Sequence, residues 1–249
     1  MLIVRNLIYW LILSVSAILM FPIALFMLPV PKGVNKVGRG WARLLLWSLK
    51  NIVGLKYRVT GTEHIPASPA IICAKHQSGW ETLALQEIFP LQVYVAKKEL
   101  FKIPFFGWGL KLAKTIGIDR KAGVKATAQL LAQGRERKQE GFWIAIFPEG
   151  TRTRPGEKGR YKSGAAKMAR LFEMDMVPVA HNSGEYWPKN SFWKYPGEIE
   201  VRIGRPISYQ SGSEAELTAE CERWIEAQQA EITGQGPCHT PVSGADGTP

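Results

Sequence analysis

One stretch near the amino terminus restricts the folds open to this chain: residues 7–30 contain no charged side chain. A straight helix of this length measures about 36 Å, which exceeds the roughly 30 Å hydrocarbon layer of a bilayer. The stretch is too long for the apolar core of a signal peptide and lacks a cleavage site of small residues, so we expect it to be retained. Pro22 lies inside it, and a proline kink is tolerated in a membrane helix. The sequence therefore predicts an apolar helix that attaches the chain to a membrane.

A second helix is predicted over residues 41–55, which are apolar on one side and carry tryptophans suited to the depth of the lipid headgroups. Together the two helices predict a membrane-anchoring helical hairpin over residues 1–55. Four basic residues follow the uncharged stretch, whereas Arg5 and the terminal amine are the cations before it; the four are Lys32, Lys36, Arg39 and Arg43. By the positive-inside rule, the remainder of the chain faces the cytoplasm. We expect a membrane of the bacterial inner-membrane type.

Residues 56–232 alternate between strand-like and helix-like segments. Short apolar runs predict buried strands, most clearly at residues 70–75 and 142–147. Helical segments separate several of these runs, and Ser213 is a good cap for a last helix over Glu214–Ile232. The pattern is typical of an α/β domain with a mixed, largely parallel sheet flanked by helices. Residues 233–249 are rich in Gly, Pro, Ser and Thr, which predicts a disordered tail.

The composition limits the partners and the compartment. Three widely spaced cysteines, Cys73, Cys221 and Cys238, form no metal-binding pattern and indicate a reducing compartment without a disulfide framework. The net charge is +11, and residues 97–170 hold 18 Lys+Arg against 6 Asp+Glu. Such an excess implies an anionic partner: nucleic acid, acidic lipid or a phosphorylated substrate. No nucleic-acid-binding module is recognisable, so charge is the only support for the first of these, and we expect no nucleic-acid partner.

A histidine and a carboxylate follow the first of the two clearest strands. His76 lies where residues 70–75 give way to a predicted helix, and Glu81 comes five residues later. In one continuous helix, residues five apart point about 140° away from each other. With His76 on the turn and Glu81 in the first helical turn, the two side chains can meet. That contact would fix the imidazole tautomer and leave a basic nitrogen for a substrate hydroxyl; a purely structural pair is the alternative.

A polar turn also follows the second clear strand, with the sequence Pro-Glu-Gly-Thr-Arg at residues 148–152. Ligands of open α/β sheets bind beyond the carboxyl ends of the strands, so the two turns predict one active edge. The chain has no G-x-S-x-G, P-loop or H-E-x-x-H motif. Serine hydrolysis, nucleotide hydrolysis and zinc proteolysis therefore have no support from motifs.

The strings HQSGWE at residues 76–81 and FPEGTR at residues 147–152 resemble the glycerolipid acyltransferase family, most closely its lysophosphatidate acyltransferases. The four blocks typical of that family can be placed in order: the histidine block, a basic motif at residues 117–120, FPEGTR, and a Val-Pro strand at residues 177–179. The resemblance covers roughly residues 57–206. One departure is Glu81, which stands where the family usually has aspartate and reaches about 1.5 Å farther.

Cations follow three predicted strands, at Lys97, Arg120 and Arg152. Three such charges could converge on a phosphate, although charge alone equally fits a solvated basic surface. The resemblance favours the phosphate and, at this position in the string AKKEL, favours Lys97 over Lys98. It implies the following substrate-binding residues: Lys97, Arg120, Glu149, Gly150, Thr151 and Arg152. For Glu149 the alternative is a structural role within its own turn.

The resemblance also implies a reaction. His76, oriented by Glu81, would act as general base in a direct transfer of a fatty acyl group from acyl-CoA or acyl-carrier protein to the sn-2 hydroxyl of lysophosphatidate. No cofactor or metal is implied, and members of the family can anchor through a hydrophobic hairpin without crossing the membrane. Glycerol-3-phosphate or another lysolipid is the alternative acceptor. A basic membrane-associated binding protein without enzymatic activity is the alternative of a different class.

Overall fold

The computed structural model describes residues 1–119 and 122–239. In this part of the chain a seven-stranded sheet has the order β1-β7-β6-β2-β5-β3-β4. The strands are β1 (Leu55–Thr60), β2 (Ile71–Ala74), β3 (Gln92–Lys97), β4 (Ile116–Ile118), β5 (Trp143–Ile146), β6 (Met176–His181) and β7 (Gly197–Ile203). Neighbouring strands are parallel except β6 and β7, which are antiparallel. The predicted mixed, largely parallel sheet is confirmed.

Seven α-helices cover the sheet within the described residues. They are α1 (Leu2–Phe26), α2 (Gly33–Ser48), α3 (Trp80–Ile88), α4 (Phe106–Leu112), α5 (Val124–Gln139), α6 (Gly164–Phe172) and α7 (Glu214–Ile232). In the central strands, alternate side chains point to opposite faces of the sheet and pack against different helices. Ile72 and Ala74 of β2 pack with α1, α2 and α3, whereas Ile71 and Cys73 pack with α5, α6 and α7. Because both faces are covered, the central strands are apolar throughout, as buried parallel strands usually are.

The two amino-terminal helices belong to this packing. Helix α2 begins at Gly33, eight residues before the predicted start at residue 41, and continues as a π-helical turn over Leu49–Val53. It ends at Gly54, whose φ of +86° suits glycine. Leu45 and Leu49 are fully buried in the same core as the central strands. The hairpin is therefore continuous with the domain's core on its inner side.

Helix α1 contacts the domain at both of its ends. Near its start the amide of Asn6 accepts a hydrogen bond from the backbone N–H of Lys194 at 2.8 Å and donates one to the carbonyl of Lys194 at 3.1 Å. Near its end, the ring of Phe21 packs edge-on against Phe105. Within the described residues α1 is the helix long and apolar enough to cross a membrane, with a mean hydropathy of 2.2. Only 17% of its apolar window is buried within the domain.

The carboxyl-terminal region is more ordered at its start than the sequence predicts. Helix α7 begins with the expected serine cap, where the Ser213 hydroxyl accepts from the backbone of Glu216 at 3.3 Å. Beyond α7, backbone N–H groups of residues 234–236 donate to the buried carboxylate of Glu185. A buried carboxylate needs such donors, and they hold the first residues of the expected disordered tail on the domain. Residues 240–249 lie outside the described part.

Candidate active site

The parallel pairing of β2 with β5 brings the two polar turns together. Cys73 is in register with Ile146, so the residues that follow both strands emerge at the same edge of the sheet. There the His76 imidazole stacks on the Phe147 ring with centroids 4.0 Å apart and planes 14° from parallel. The predicted juxtaposition of the two turns is present, and the phenyl ring limits how the imidazole can tilt.

His76 and Glu81 form the predicted pair. His76 lies on the turn, Glu81 lies in the first turn of α3, and the imidazole Nδ1 is 2.8 Å from Oε1 of the carboxylate. An ionised carboxylate only accepts hydrogen bonds, so Nδ1 donates and Nε2 carries the lone pair. Within the described residues Nε2 has no hydrogen-bond partner. The side chain of His76 lines an open cavity, where Nε2 can act as a base.

Glu81 is fully buried and stays ionised because its surroundings supply donors. Burial raises the pKa of this carboxyl. The hydrogen bond with His76, the charges of His181 and His76 and the Ser78 backbone N–H lower the pKa by a larger amount, so that its net value is about 2. Backbone N–H groups of Gln77 and Ser78 donate to it at 3.1 and 2.9 Å. The extra methylene relative to aspartate therefore does not prevent contact with His76.

Ser183 is a partner of Glu81 that the sequence does not predict. Its hydroxyl donates to Oε2 of Glu81 at 3.0 Å, across 102 positions of sequence. The nearby His181 has a structural place: its Nε2 donates to the carbonyl of Lys75 at 2.9 Å, and burial lowers its pKa. Both residues are far from Glu81 in the sequence. Their contacts with the site therefore cannot be predicted from local spacing and are seen only in the tertiary structure.

Glu149, a predicted substrate-binding residue, is buried and does not line the cavity that His76 lines. Its Oε2 accepts from the backbone N–H of His76 at 2.8 Å, and its Oε1 lies 2.8 Å from Nζ of Lys75. Thr153 donates to Oε1 as well, at 3.3 Å. Glu149 is only 3% exposed. The geometry favours the alternative interpretation, in which Glu149 holds the turns together and fixes the backbone of His76.

Two of the predicted cations line the cavity with His76: Lys97 and Arg152. The Nε of Arg152 is buried and has no hydrogen-bond partner among the described residues. Lys97 lies at the carboxyl end of β3 and pairs with Glu99 at 3.4 Å on the surface. Lys98 is not among the residues that line the cavity. Arg120 lies outside the described residues.

Gly150 and Thr151 are the two remaining predicted substrate-binding residues of the FPEGTR turn. Gly150 has a φ of +70°, and a Cβ there would lie 2.9 Å from Nζ of Lys162. Glycine thus lets this turn adopt a left-handed conformation under a further ammonium group. Thr151 is exposed at the surface. Lys162 is a cation beside the site that the strand-end pattern does not identify, because it lies before α6 and not after a strand.

The cavity has a volume of about 310 Å³ and is predominantly apolar. It extends along β3, whose residues Gln92 to Lys97 all line it. At about 3.3 Å per residue, that path is roughly 17 Å long. Apolar side chains from the two amino-terminal helices and α4 form much of the remaining wall: Phe21, Val34, Trp41, Phe106 and Leu110. Such a cavity can accommodate an alkyl chain with its polar end beside His76. Within the described residues no group of three His, Cys, Asp or Glu side chains could hold a metal ion.

Comparison with known proteins agrees with this geometry. The Acyltransferase family model matches residues 56–182, which include His76 and the FPEGTR turn. A curated 1-acyl-sn-glycerol-3-phosphate acyltransferase from Pseudomonas aeruginosa is 39% identical over 237 residues, covering 92% of each chain. The chain belongs to the acyltransferase family. The match with the Pseudomonas protein extends beyond the family model.

The chain is also similar to more distant acyltransferases. A 1-acyl-sn-glycerol-3-phosphate acyltransferase from Borreliella burgdorferi is 30% identical over 181 residues, covering 72% of this chain and 70% of the relative. Among solved structures, the crystal structure of the 1-acyl-sn-glycerophosphate acyltransferase from Thermotoga maritima matches with a TM-score of 0.77 and 23% identity. That match covers 93% of this chain and 98% of the other, and it shows a shared fold.

Proposed function

We propose that this acyltransferase moves a fatty acyl group from a thioester to the free sn-2 hydroxyl of lysophosphatidate, giving phosphatidate for phospholipid biosynthesis. The observation that carries the proposal is the His76 imidazole, held at Nδ1 by a buried carboxylate and open at Nε2 where an apolar cavity meets Arg152. The similarity to 1-acyl-sn-glycerol-3-phosphate acyltransferases of Pseudomonas and Borreliella supports the same acceptor.

In the proposed mechanism, Nε2 of His76 takes the proton of the acceptor hydroxyl as its oxygen attacks the thioester carbonyl. The buried Glu81 carboxylate stabilises the resulting imidazolium and keeps the ring in one orientation. When the tetrahedral intermediate collapses, the carbon–sulfur bond breaks and the thiolate receives the proton from His76. The products are an ester and a free thiol, and the proposed transfer is direct, without a covalent acyl-enzyme or a cofactor.

The phosphate of the acceptor is proposed to bind the cations near His76. Arg152 is the principal candidate, because its buried Nε has no partner in the described part of the chain and guanidinium matches the geometry of a phosphate. Lys97 lies on the same cavity and adds positive charge, and Arg120 remains a predicted contact. Gly150 and Thr151 would present backbone and hydroxyl groups of the turn to the substrate.

The apolar cavity is proposed to hold an acyl chain during transfer. A chain in it would lie against β3 and the two amino-terminal helices, with its carbonyl carbon at the end occupied by His76. Acyl-CoA and acyl-carrier protein are both proposed donors, because each presents a thioester at the end of a flexible arm.

Membrane attachment is proposed to occur through the exposed apolar side of α1. Leu7, Leu11, Val15 and Leu19 recur every fourth residue and are exposed by 54, 64, 46 and 57%. Both ends of α1 contact the same domain, so its ends cannot face opposite sides of a membrane unless the domain also crosses it. We therefore propose that α1 lies in one leaflet, with the domain on the cytoplasmic face of a bacterial-type inner membrane.

A thioester-release assay tests the proposed function. The full chain in detergent or vesicles is given acyl-CoA or acyl-carrier protein with lysophosphatidate, glycerol-3-phosphate or a lysolipid that lacks the phosphate monoester. We expect thiol release and phosphatidate formation with lysophosphatidate. A clear preference for another acceptor would refute the acceptor assignment, and no transfer to any acceptor would refute the enzymatic proposal.

A further inference from the structure

The two residues on either side of His76 are both held by α7. Nζ of Lys75 donates to Oε1 of Glu226 at 2.8 Å, and Nε2 of Gln77 donates to Oε1 of Gln229 at 3.0 Å. Residues three apart lie on the same face of a helix, so one turn of α7 reaches both neighbours of the histidine. Helix α7 lies beyond the family match over residues 56–182.

The contact at Lys75 continues to the backbone of His76. Nζ of Lys75 lies 2.8 Å from Oε1 of Glu149, and the other oxygen of Glu149 accepts from the His76 N–H at 2.8 Å. The side chains of Lys75 and Glu149 are 1% and 0% exposed. A buried ammonium between two carboxylates is sensitive to the loss of either one, because water cannot replace the missing charge.

The contact at Gln77 is also part of a larger hydrogen-bond network. The carbonyl of its side chain accepts from the backbone N–H of Gly184 at 3.2 Å. Gln229 donates to the carbonyl of His181 at 2.9 Å. Gln229 therefore links the turn after β2 to the turn after β6, which carries the Ser183 hydroxyl that binds Glu81.

Tyr161 completes the environment of Glu226. Its hydroxyl donates to Oε1 of Glu226 at 2.7 Å, and burial raises its pKa so that it stays protonated. The Glu226 carboxylate is thereby fixed from two directions, by Tyr161 and by Lys75. A side chain held in this way is a rigid support and not a loose surface charge.

We infer that Glu226 and Gln229 of α7 are positioning residues for His76: Glu226 acts through Lys75 and Glu149 on the His76 backbone, and Gln229 acts through Gln77. The inference rests on the proposed role of His76 as general base. Neither residue lines the cavity, so they act on the placement of the base and not on substrate binding. Misplacing a catalytic group by about 1 Å can cost roughly 100-fold in rate.

The test compares Glu226→Gln with Glu222→Gln in the full chain. Glu222 lies one turn earlier on α7 and pairs with Lys158 at 2.7 Å, where Lys158 is largely exposed. We expect Glu226→Gln to lower kcat by roughly 10- to 100-fold while the KM of donor and acceptor stays within about twofold. Glu222→Gln should match the parent. Equal kcat in Glu226→Gln and the parent, or a loss that falls on KM alone, would overturn the inference.

A second readout does not depend on acyl transfer. With 15N-histidine labelling, the amide signal of His76 reports its hydrogen bond to Glu149, and His76→Gln assigns that signal. Glu226→Gln should shift the His76 amide, whereas Glu222→Gln should not. An unmoved signal would contradict the inference even if the parent proves to have no transferase activity, which would refute the proposed function separately.

Gln229→Asn covers the case in which Glu226→Gln does not fold. It shortens the amide by one methylene and leaves every buried charge in place. A fall in kcat with KM unchanged, together with a shifted His76 amide, is the expected result. Parent-like kcat and an unmoved amide in this variant would overturn the inference for Gln229, and for α7 as a whole if Glu226→Gln cannot be prepared.

Discussion

The ability of His76 to act as a base depends on individual neighbouring residues. Glu81 contacts the imidazole ring directly. Its carboxylate receives the imidazole Nδ1–H, two backbone N–H groups and the Ser183 hydroxyl. The pKa of about 2 keeps it charged at any pH at which the protein would work. Replacing it should therefore remove a charge that is present in the transition state, when the imidazole is protonated.

We predict that Glu81→Gln lowers kcat by roughly 10²- to 10⁴-fold, because the amide keeps the size of the side chain but no longer stabilises imidazolium. The measurement is steady-state thioester release with lysophosphatidate. Glu63→Gln is the matched control, since it removes a surface carboxylate 4.0 Å from the ring of His64. Full activity in Glu81→Gln would show that the charge is dispensable.

Arg152 should govern the affinity for the acceptor. Losing one charge-assisted contact costs about 1.5–3 kcal/mol, so Arg152→Ala should reduce kcat/KM for lysophosphatidate by roughly 10- to 150-fold and spare the KM of the donor. Arg152→Lys should recover part of this loss, because an ammonium keeps the charge without the bidentate geometry. Arg154→Ala, at an exposed position of the same loop, is the control. If Arg152→Ala slows acceptors with and without a phosphate equally, Arg152 does not read the phosphate.

Among the elements, α1 depends on a small polar contact for its attachment to the domain. Asn6 is fully buried and satisfies both backbone groups of Lys194. The nearby ammonium of Lys194 lies over the ring of Trp10 at 3.5 Å, and burial lowers the pKa of Lys194 to about 7. The first turns of α1 are thus fixed to the loop before β7 and do not form an independent tail.

We predict that Asn6→Ala destabilises the protein by about 1–3 kcal/mol, because it leaves buried backbone groups unpaired. At roughly 2–4 °C per kcal/mol for a domain of this size, the loss should be visible in Tm. Asn51→Ala removes an exposed amide that donates to the carbonyl of Trp47, and it should leave Tm nearly unchanged. Equal Tm in both variants would contradict the docking of α1 on the domain.

For the whole molecule, membrane attachment and folding share the same two helices. The inner sides of α1 and α2 belong to the core, so removing residues 1–55 would also remove buried side chains of the domain. We therefore predict the effect of adding charge to the outer side. Leu11→Lys with Leu19→Lys should weaken vesicle binding, since each lysine in a lipid-facing position costs up to about 3 kcal/mol.

The measurement is co-sedimentation with vesicles after a high-salt wash. Gln210→Lys with Ser211→Lys adds the same charge at exposed positions far along the chain and should bind as the parent does. If the Leu11 and Leu19 variant still pellets fully, attachment occurs through another surface.

The sequence was sufficient for the features that depend on local patterns. Strands β2 and β5 lie within the predicted runs at residues 70–75 and 142–147, and the His76–Glu81 contact follows from a strand-to-helix turn that local residues encode. The order of the strands and the buried partners of the site depend on residues far apart. Ser183 and Glu226 reach the site across more than 100 positions, and no periodicity in a single sequence reports such contacts.

The substitution His76→Ala tests whether His76 is the base in acyl transfer. The variant and the parent are compared for thioester release with lysophosphatidate, and their Tm values are compared to establish that both are folded. We predict a loss of roughly 10²- to 10⁴-fold in kcat with little change in Tm. A folded His76→Ala protein that turns over at nearly the parent rate would contradict it.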